Sequence, residues 1–555
     1  MCFPKFSSRI IVGLLTIFAM YYAGFGWLPV SFTEARILKF IVNGYPLLGY
    51  LPLDLLAIVF LLSVTPYILK CSIKEVAVQI VLALVSYLAY IVLGYVQILS
   101  LLSISTATTV FVYVKRLGLK KLLISTSYVV IFLEVLAIFS SLTYFATGSW
   151  NPIAKSIVLR ERFVWSFLEW FSIATLTASS IMWLYSFLSG RSYPLKLQLN
   201  KVLGNSELGF VGVKALSASL LLCLLVVILP HIPTVNPTLA PVSTDTFLYV
   251  EFIREANSNG LLYALAKYRS FARPLYLAAL FTASKIVDPL ILVDIIHPLL
   301  AISFLTVATY FFTKKFVGLK AASIAALLTP LGHTAVTFIA GGFQANTLAL
   351  PLALIMFTIE PNRKLKLFTL AVLVALIHPW TYIMFSTAYI VYIIGVKRSK
   401  LGIKNAFSAA IVFASAIILS EAVDLAVANI SPSAAALTTV ANSIGFYVPI
   451  SLFRGVEFLT WGSQANALVF LASSLPAVFQ PTSAILCSIA SLLLISSQTI
   501  VHRLILNTPL EAHSSIILEK LDGKIVLAVI LATIAKGLIM LTGLTPFTTN
   551  IWLET

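Results

Sequence analysis

The chain reads Ser243-Thr244-Asp245-Thr246-Phe247-Leu248-Tyr249, continues without Gly or Pro to Gly260, and later reads Arg269-Ser270-Phe271-Ala272-Arg273-Pro274-Leu275-Tyr276. This stretch carries aromatic residues, both signs of charge and helix signals, so we expect it to be ordered rather than a bare linker. A helix would begin at Asp245, and the Asn-Ser-Asn-Gly sequence at 257–260 would end it. We interpret residues 243–276 as a catalytic loop.

Asp245 stands at the predicted N-terminus of the loop helix. The helix dipole stabilises a carboxylate there, which suits a simple cap and equally a metal ligand or a general base. Arg269 and Arg273 follow in the same loop and predict a site for a phosphate or diphosphate headgroup. The alternative is that both arginines reach along the membrane surface and contact lipid.

The composition excludes a soluble globular protein. Of the 555 residues 60% are hydrophobic and 10% are charged, and the mean hydropathy is +1.02, which is typical of a multi-spanning membrane protein whose partner is the lipid bilayer. The net charge of +17 comes from short basic tufts between apolar runs. That pattern follows the positive-inside rule and disfavours nucleic-acid binding. The cysteines are far apart and predict neither disulfides nor a metal site: Cys2, Cys71, Cys223 and Cys487.

Apolar runs of about 20 residues predict an all-α, polytopic integral membrane protein of about 17 helical segments. About six spans fall within residues 1–200 and form an accessory bundle of unassigned role. Residues 201–555 form the second domain, which includes an outer loop at 231–289. The basic tufts place the N-terminus in the cytoplasm and this loop on the outer face of the plasma membrane.

Further polar residues interrupt the later apolar runs. His378-Pro379-Trp380 joins a titratable group to a stacking ring at a predicted outer turn. Glu511 and His513 lie in a weakly apolar segment after Arg503, and charge in hydrocarbon costs about 3 kcal/mol or more, so such residues normally face a cavity or each other. The alternative is an interfacial helix whose charges are solvated.

The tripeptide Gln344-Ala345-Asn346 recurs at 464–466. Both copies stand where an inward-going helix is predicted to begin. Their neutral amides can cap the helix or bond to sugar hydroxyls.

Residues 213–544 resemble the C-type (GT-C) superfamily of polytopic glycosyltransferases, which use polyprenyl-phosphate-linked sugars. The resemblance lies first in an outward helix and the acidic motif Asp245-Thr-Phe-Leu-Tyr249, which opens the first long outer loop. Arg273-Pro274-Leu275-Tyr276 then starts a second loop helix, and a two-span unit follows with Lys314-Lys315 and Leu328-Thr329-Pro330.

The resemblance implies a glycosyltransferase that takes sugar from a polyprenyl-phosphate donor to a glycan, lipid or protein acceptor. It implies that Asp245 is the general base or a metal ligand, with Mg or Mn as candidate cofactor. Asp245 departs from the paired-acid form of the family, because threonines flank it. The candidate donor-phosphate residues are Arg269, Arg273 and Arg503, and the candidate substrate-binding residues are Tyr249, Gln344, Asn346, His378, Trp380, Glu511 and His513.

Two other classes of protein stay open on the sequence. A transporter or lipid flippase would show matched halves with interrupted helices at corresponding positions. A non-catalytic membrane scaffold subunit would have a sealed outer face without a cavity at Asp245.

Overall fold

The computed structural model describes residues 211–428, apart from 234–235, 237–240, 244, 269–272, 333, 336–337, 340–343 and 397–399, together with 507 and 509–541. Within these ranges the regular structure is all helical. The predicted N-terminal bundle, Arg269 and Arg503 lie outside the described residues.

The described helices follow the predicted apolar runs. Three are long and apolar enough to cross a membrane, namely Val213–His231, Pro289–Phe316 and Gly402–Ala426. We number the helices α1 Val213–Ile228, α2 Thr246–Asn259, α3 Leu261–Lys267, α4 Pro274–Ala283, α5 Pro289–Phe316, α6 Leu319–Leu328, α7 Gln344–Thr358, α8 Lys364–Ile377, α9 Pro379–Val396, α10 Lys400–Ala428, α11 Leu510–Leu518 and α12 Gly523–Leu541.

The predicted helix boundaries of the loop are confirmed. Helix α2 begins directly after Asp245 and ends at Asn259. Gly260 follows with φ +91°, a backbone conformation that glycine adopts without the strain of a Cβ atom. Pro274 occupies the first position of α4. An N–H at that position would have no partner within the helix, so proline, which lacks one, costs no hydrogen bond there.

The break at His378 is also confirmed. Helix α8 ends at Ile377, His378 is extended with φ −155° and ψ 98°, and α9 begins at Pro379. A residue before proline is pushed out of the helical region by the proline ring, which explains the break at this position.

Hydrogen bonds at both ends of α5 and α7 show that these helices run in the same direction. Gln344 Nε2 donates to the Val293 carbonyl over 3.0 Å where both helices begin. Lys315 Nζ donates to the Thr358 carbonyl where both end. Between these ends the helices pack through aromatic side chains such as Phe312 and Phe357, whose rings meet edge to face.

A hydrogen bond between α6 and α11 identifies the same two ends of the bundle. Lys320 Nζ donates to the Glu519 carbonyl over 2.6 Å where α6 begins and α11 ends. The last turn of α6 and the first turn of α11 therefore meet at the opposite end. We call this opposite end, where α5 and α7 also begin, the site end, and we call the end with Lys315 and Lys320 the basic end.

Gly332, at the site end, lies directly against Glu511. It follows the short helical turn Thr329–Leu331, and a Cβ atom at position 332 would come within 1.9 Å of Glu511 Oε1 and 2.7 Å of its Cδ. The Glu511 side chain is buried, so it cannot swing into solvent. Glycine at 332 is therefore required for this packing.

We expect Gly332→Ala to lower the free energy of unfolding by about 1–3 kcal/mol, because the buried carboxylate must move within a packed interior. Thermal unfolding of the full chain in detergent measures the change. In a Glu511→Ala background the same substitution should cost much less, since the clashing group is gone. An equal cost in both backgrounds would contradict the packing.

Candidate functional site

The loop before α2 is attached to α5 through Asp294. This residue lies in a π-helical turn, Leu292–Ile296, near the start of α5, and π turns inside longer helices are frequent at functional sites. Its carboxylate is buried and accepts four hydrogen bonds from distant segments. The donors are His231 Nε2 at 2.7 Å, Thr246 Oγ1 at 2.9 Å, Val242 N at 3.2 Å and Ser243 N at 3.5 Å.

His231 links this carboxylate to the end of α1. Its Nε2 faces Asp294 Oδ2, and its Nδ1 lies 2.8 Å from the carbonyl of Val227. Three segments therefore meet at one buried anion: the end of α1, the residues at 242–246 and the start of α5.

Asp245 stands beside this junction at the N-cap position of α2. Its side chain makes no capping hydrogen bond, so the structure does not use it as the simple cap that the sequence left open. Burial raises the pKa of the Asp245 carboxyl, and the positive charge of Arg273 opposes that rise. A carboxylate in this setting is a stronger base than one in water, as a general base requires.

Arg273 is held beside α2 by a hydroxyl group. Its Nη1 donates to Tyr249 Oη over 2.8 Å, and the Tyr249 ring packs edge to face on Tyr276 with centroids 5.6 Å apart. Burial raises the pKa of Tyr249, with Arg273 again opposing the shift, so this phenol stays neutral at physiological pH. The guanidinium has donors beyond the one that Tyr249 binds.

Gln344 extends this network into the bundle. Tyr276 Oη donates to Gln344 Oε1 over 3.0 Å, and the amide nitrogen of Gln344 is bound by Val293 as described above. The His297 ring packs edge to face on Tyr276 at 5.4 Å. Three buried nitrogens lack a hydrogen-bond partner within the described part of the chain. They are the two ring nitrogens of His297 and the amide nitrogen of Asn346.

A second polar group surrounds the break between α8 and α9. His378 Nδ1 lies 2.7 Å from Thr381 Oγ1, and this hydroxyl also pairs with Asn507 Oδ1. Trp380 packs in the main apolar core. The group joins the start of α9 to Asn507, which precedes α11. Glu511 and His513 are buried on α11 itself.

The structure thus sorts the predicted site residues into two groups at the site end. Tyr249, Arg273 and Gln344 share one connected network through Tyr276, and Asp245 interacts electrostatically with Arg273. His378 belongs to the other group, with Thr381 and Asn507, and Trp380 lies next to it at the start of α9. Glu511 and His513 are buried on α11, which packs against α5 and α6. Asn346 follows Gln344 on α7.

Sequence reasoning missed His231 and Asp294, the residues that fix the loop. A usable signal was present for Asp294, because it is an acid inside an apolar run long enough to span a membrane, and an ionisable residue inside a span normally has a specific partner. His231 gave no comparable signal, since it follows Pro230 at a helix end where histidine is common.

The described residues do not fit the divalent cation that the resemblance implies. Nowhere in the described ranges do three or more His, Cys, Asp or Glu side chains group closely enough to hold a metal ion. The charged group that interacts with Asp245 is the cation Arg273. We therefore derive no step through a metal.

Comparison with known proteins gave no match to a family model, to a curated protein or to a solved structure.

The environment of Asp245 predicts how stability changes with pH. A carboxyl whose pKa is raised by folding binds its proton more tightly in the folded chain, so its charged form destabilises the protein above the unfolded pKa near 3.8. Asp245→Asn removes that charge. We expect its melting temperature in detergent to exceed that of the wild type at pH 7, and the difference to shrink as the pH falls toward 4.

Asp288 provides the matched control for this substitution. Its carboxylate does cap a helix, accepting from Leu290 N at 2.9 Å and Ile291 N at 3.2 Å. Asparagine caps about as well as aspartate, so Asp288→Asn should leave the melting temperature nearly unchanged. A loss of stability in Asp245→Asn at pH 7 would show that the carboxylate has a favourable role in folding.

Proposed function

We propose that the chain is a membrane glycosyltransferase, which transfers a sugar from a polyprenyl-phosphate donor to a hydroxyl group of an acceptor at the outer membrane face. The observation that carries the proposal is the electrostatic interaction between Asp245 and Arg273. A half-buried carboxylate without a capping role lies within the field of a cation, on a loop fixed to the end of a bundle of apolar helices. The order of loop, proline-started helix and two-span unit supports the same class by resemblance.

The distribution of charge supports the proposed orientation. Four cationic residues belong to the described loop at the site end: Arg254, Lys267, Arg273 and Lys285. The basic end and its connections carry more, including Lys314, Lys315, Lys320, Arg363, Lys364, Lys366, Lys404, Lys520 and Lys524. Lysine and arginine are enriched on the cytoplasmic side of membrane proteins, so the basic end is cytoplasmic and the site end faces outward.

The outer surfaces of the long helices suit contact with lipid and with a prenyl chain. Helices α1 and α10 expose large apolar side chains along their length, among them Leu221, Leu225, Ile228, Phe407, Ile411, Ile418 and Leu425. Such an exposed face is stable in hydrocarbon and not in water. A donor with a polyprenyl tail can therefore remain in the bilayer while its phosphate reaches the site end.

The reaction needs two things from the protein. Asp245 takes the proton of the acceptor hydroxyl as its oxygen forms the new bond to the anomeric carbon of the sugar. The bond between that carbon and the phosphate oxygen breaks, and the leaving polyprenyl phosphate carries the electron pair away. Arg273, oriented by Tyr249, binds the phosphate of the donor and keeps this contact with the leaving polyprenyl phosphate.

Asp245→Asn is the direct test of this role. The substitution keeps the shape of the side chain and removes its basicity, so transfer from a polyprenyl-phosphate hexose in proteoliposomes should fall by about 10²-fold or more. Asp288→Asn, the same exchange at a capping residue, should retain wild-type transfer. Wild-type transfer by a folded Asp245→Asn protein would end the catalytic interpretation.

Arg273→Ala should act on the donor. We expect the KM for the donor to rise several-fold, with turnover at saturation largely kept, if the guanidinium binds the phosphate equally well in the ground and transition states. Arg254→Ala is the matched control, because Arg254 is an exposed arginine of α2 outside the network. Equal effects of the two substitutions would show that only the general positive charge of the loop matters.

A further inference from the structure

We infer that His231 and Asp294 are positioning residues: the His231 imidazolium and the Asp294 carboxylate form an ion pair that fixes Val242, Ser243 and Thr246, and with them Asp245, to the start of α5. The consequence for sugar transfer rests on the proposed function. The position of the loop does not depend on the proposed function, and a separate experiment measures it.

The surroundings of His231 require both of its ring nitrogens to carry hydrogen. Nδ1 faces the Val227 carbonyl at 2.8 Å and Nε2 faces Asp294 Oδ2 at 2.7 Å. A carbonyl oxygen can only accept, and a neutral imidazole donates from one nitrogen alone. The imidazolium is therefore the form that satisfies both contacts while Asp294 is ionised.

The other contacts of Asp294 favour its ionised form. Its two oxygens accept from the backbone of Val242 and Ser243 and from the hydroxyl of Thr246. Several donors on one carboxylate stabilise the anion. The pair is thus a cation and an anion, rather than a neutral acid and a neutral imidazole.

These contacts bracket Asp245 in sequence. Val242 and Ser243 are bound before it and Thr246 directly after it, so the Asp245 backbone cannot move far while the Asp294 contacts persist. The Thr246 side chain is fully buried. The position of Asp245 therefore depends on Asp294, an acid that is distant in sequence.

Among the side chains that the structure describes, one charged group interacts with His231. Val227, whose carbonyl contacts His231, belongs to an apolar cluster against which Ile295 of α5 and Ile534 of α12 pack. The charged group that interacts with His231 is Asp294. The ion pair therefore depends on the protonation of His231 alone over the physiological range.

The direction of the pH dependence follows from these contacts. Below the pKa of His231 both nitrogens donate and the loop is fixed. As the pH rises through that pKa, one nitrogen becomes an acceptor facing an oxygen, and the pair loses its attraction. Asp294 is then buried without a compensating charge, which weakens its hold on Val242, Ser243 and Thr246, so the loop should be held more loosely at high pH than at low pH.

Cysteine labelling measures the release without reference to activity. Ser243 is buried and Ser258 is exposed on α2, so Ser243→Cys reports on the loop and Ser258→Cys provides a reference for the thiol itself. The full chain in detergent is treated with a maleimide, and the parent protein gives the background of the native cysteines. We expect the ratio of the labelling rates, 243 over 258, to rise by at least about tenfold from pH 5.5 to pH 8.5.

Substitutions of His231 separate charge from packing. His231→Ala should give a high ratio at every pH, and His231→Arg, which stays charged, should give a lower ratio that does not change with pH. Asp294→Asn should resemble His231→Ala. A ratio in the wild-type chain that is flat with pH, measured without any substitution at 231 or 294, would overturn the inference even if these variants fail to fold.

The activity measurement is a second, separable readout. Transfer by the wild type should lose kcat at high pH in step with the labelling ratio, with a smaller change in the KM for the donor, and His231→Arg should keep its kcat there. A released loop with unchanged kcat would overturn the positioning role. Absence of any transfer, with the labelling result intact, would overturn only the proposed function.

Discussion

A buried anion, the Asp294 carboxylate, is the group on which the arrangement of the site end depends. An ionised carboxylate among apolar helices is costly unless it is paired and hydrogen-bonded. Here a histidine, a hydroxyl and two backbone N–H groups meet that requirement. Since the donors come from two segments and Asp294 belongs to a third, satisfying one charge joins the end of α1 and the start of α2 to α5.

The two ends of the bundle differ in what they do with polar groups. At the basic end, lysines bond to carbonyls that terminate helices, as Lys320 does with Glu519 and Lys315 with Thr358. At the site end, side chains bond to one another through Tyr276, Gln344 and Arg273. The first pattern satisfies helix ends and retains the cations on one side. The second forms a hydrogen-bonded polar network that is mostly buried at the site end.

The sequence predicted local features of this structure well. The boundaries of α2, the proline that starts α4 and the break at His378 depend on residues within a few positions, and all three were predicted correctly. The candidate residues were predicted one at a time, from charge and position. Their division into a loop network and a group around Thr381 and Asn507 was beyond that reasoning, because it depends on which helix ends meet.

The sequence by itself therefore determined the apolar helices, their ends and the presence of an acid with arginines between them, because these follow from hydropathy and short-range backbone preferences. Only the tertiary structure decided that Asp245 is not a cap, that Arg273 is held by Tyr249 and that Asp294 pairs with His231. His231 and Asp294 are 63 residues apart in the sequence. Helical periodicity reports which face of a helix is apolar, but it carries no information about which distant residue meets a buried charge.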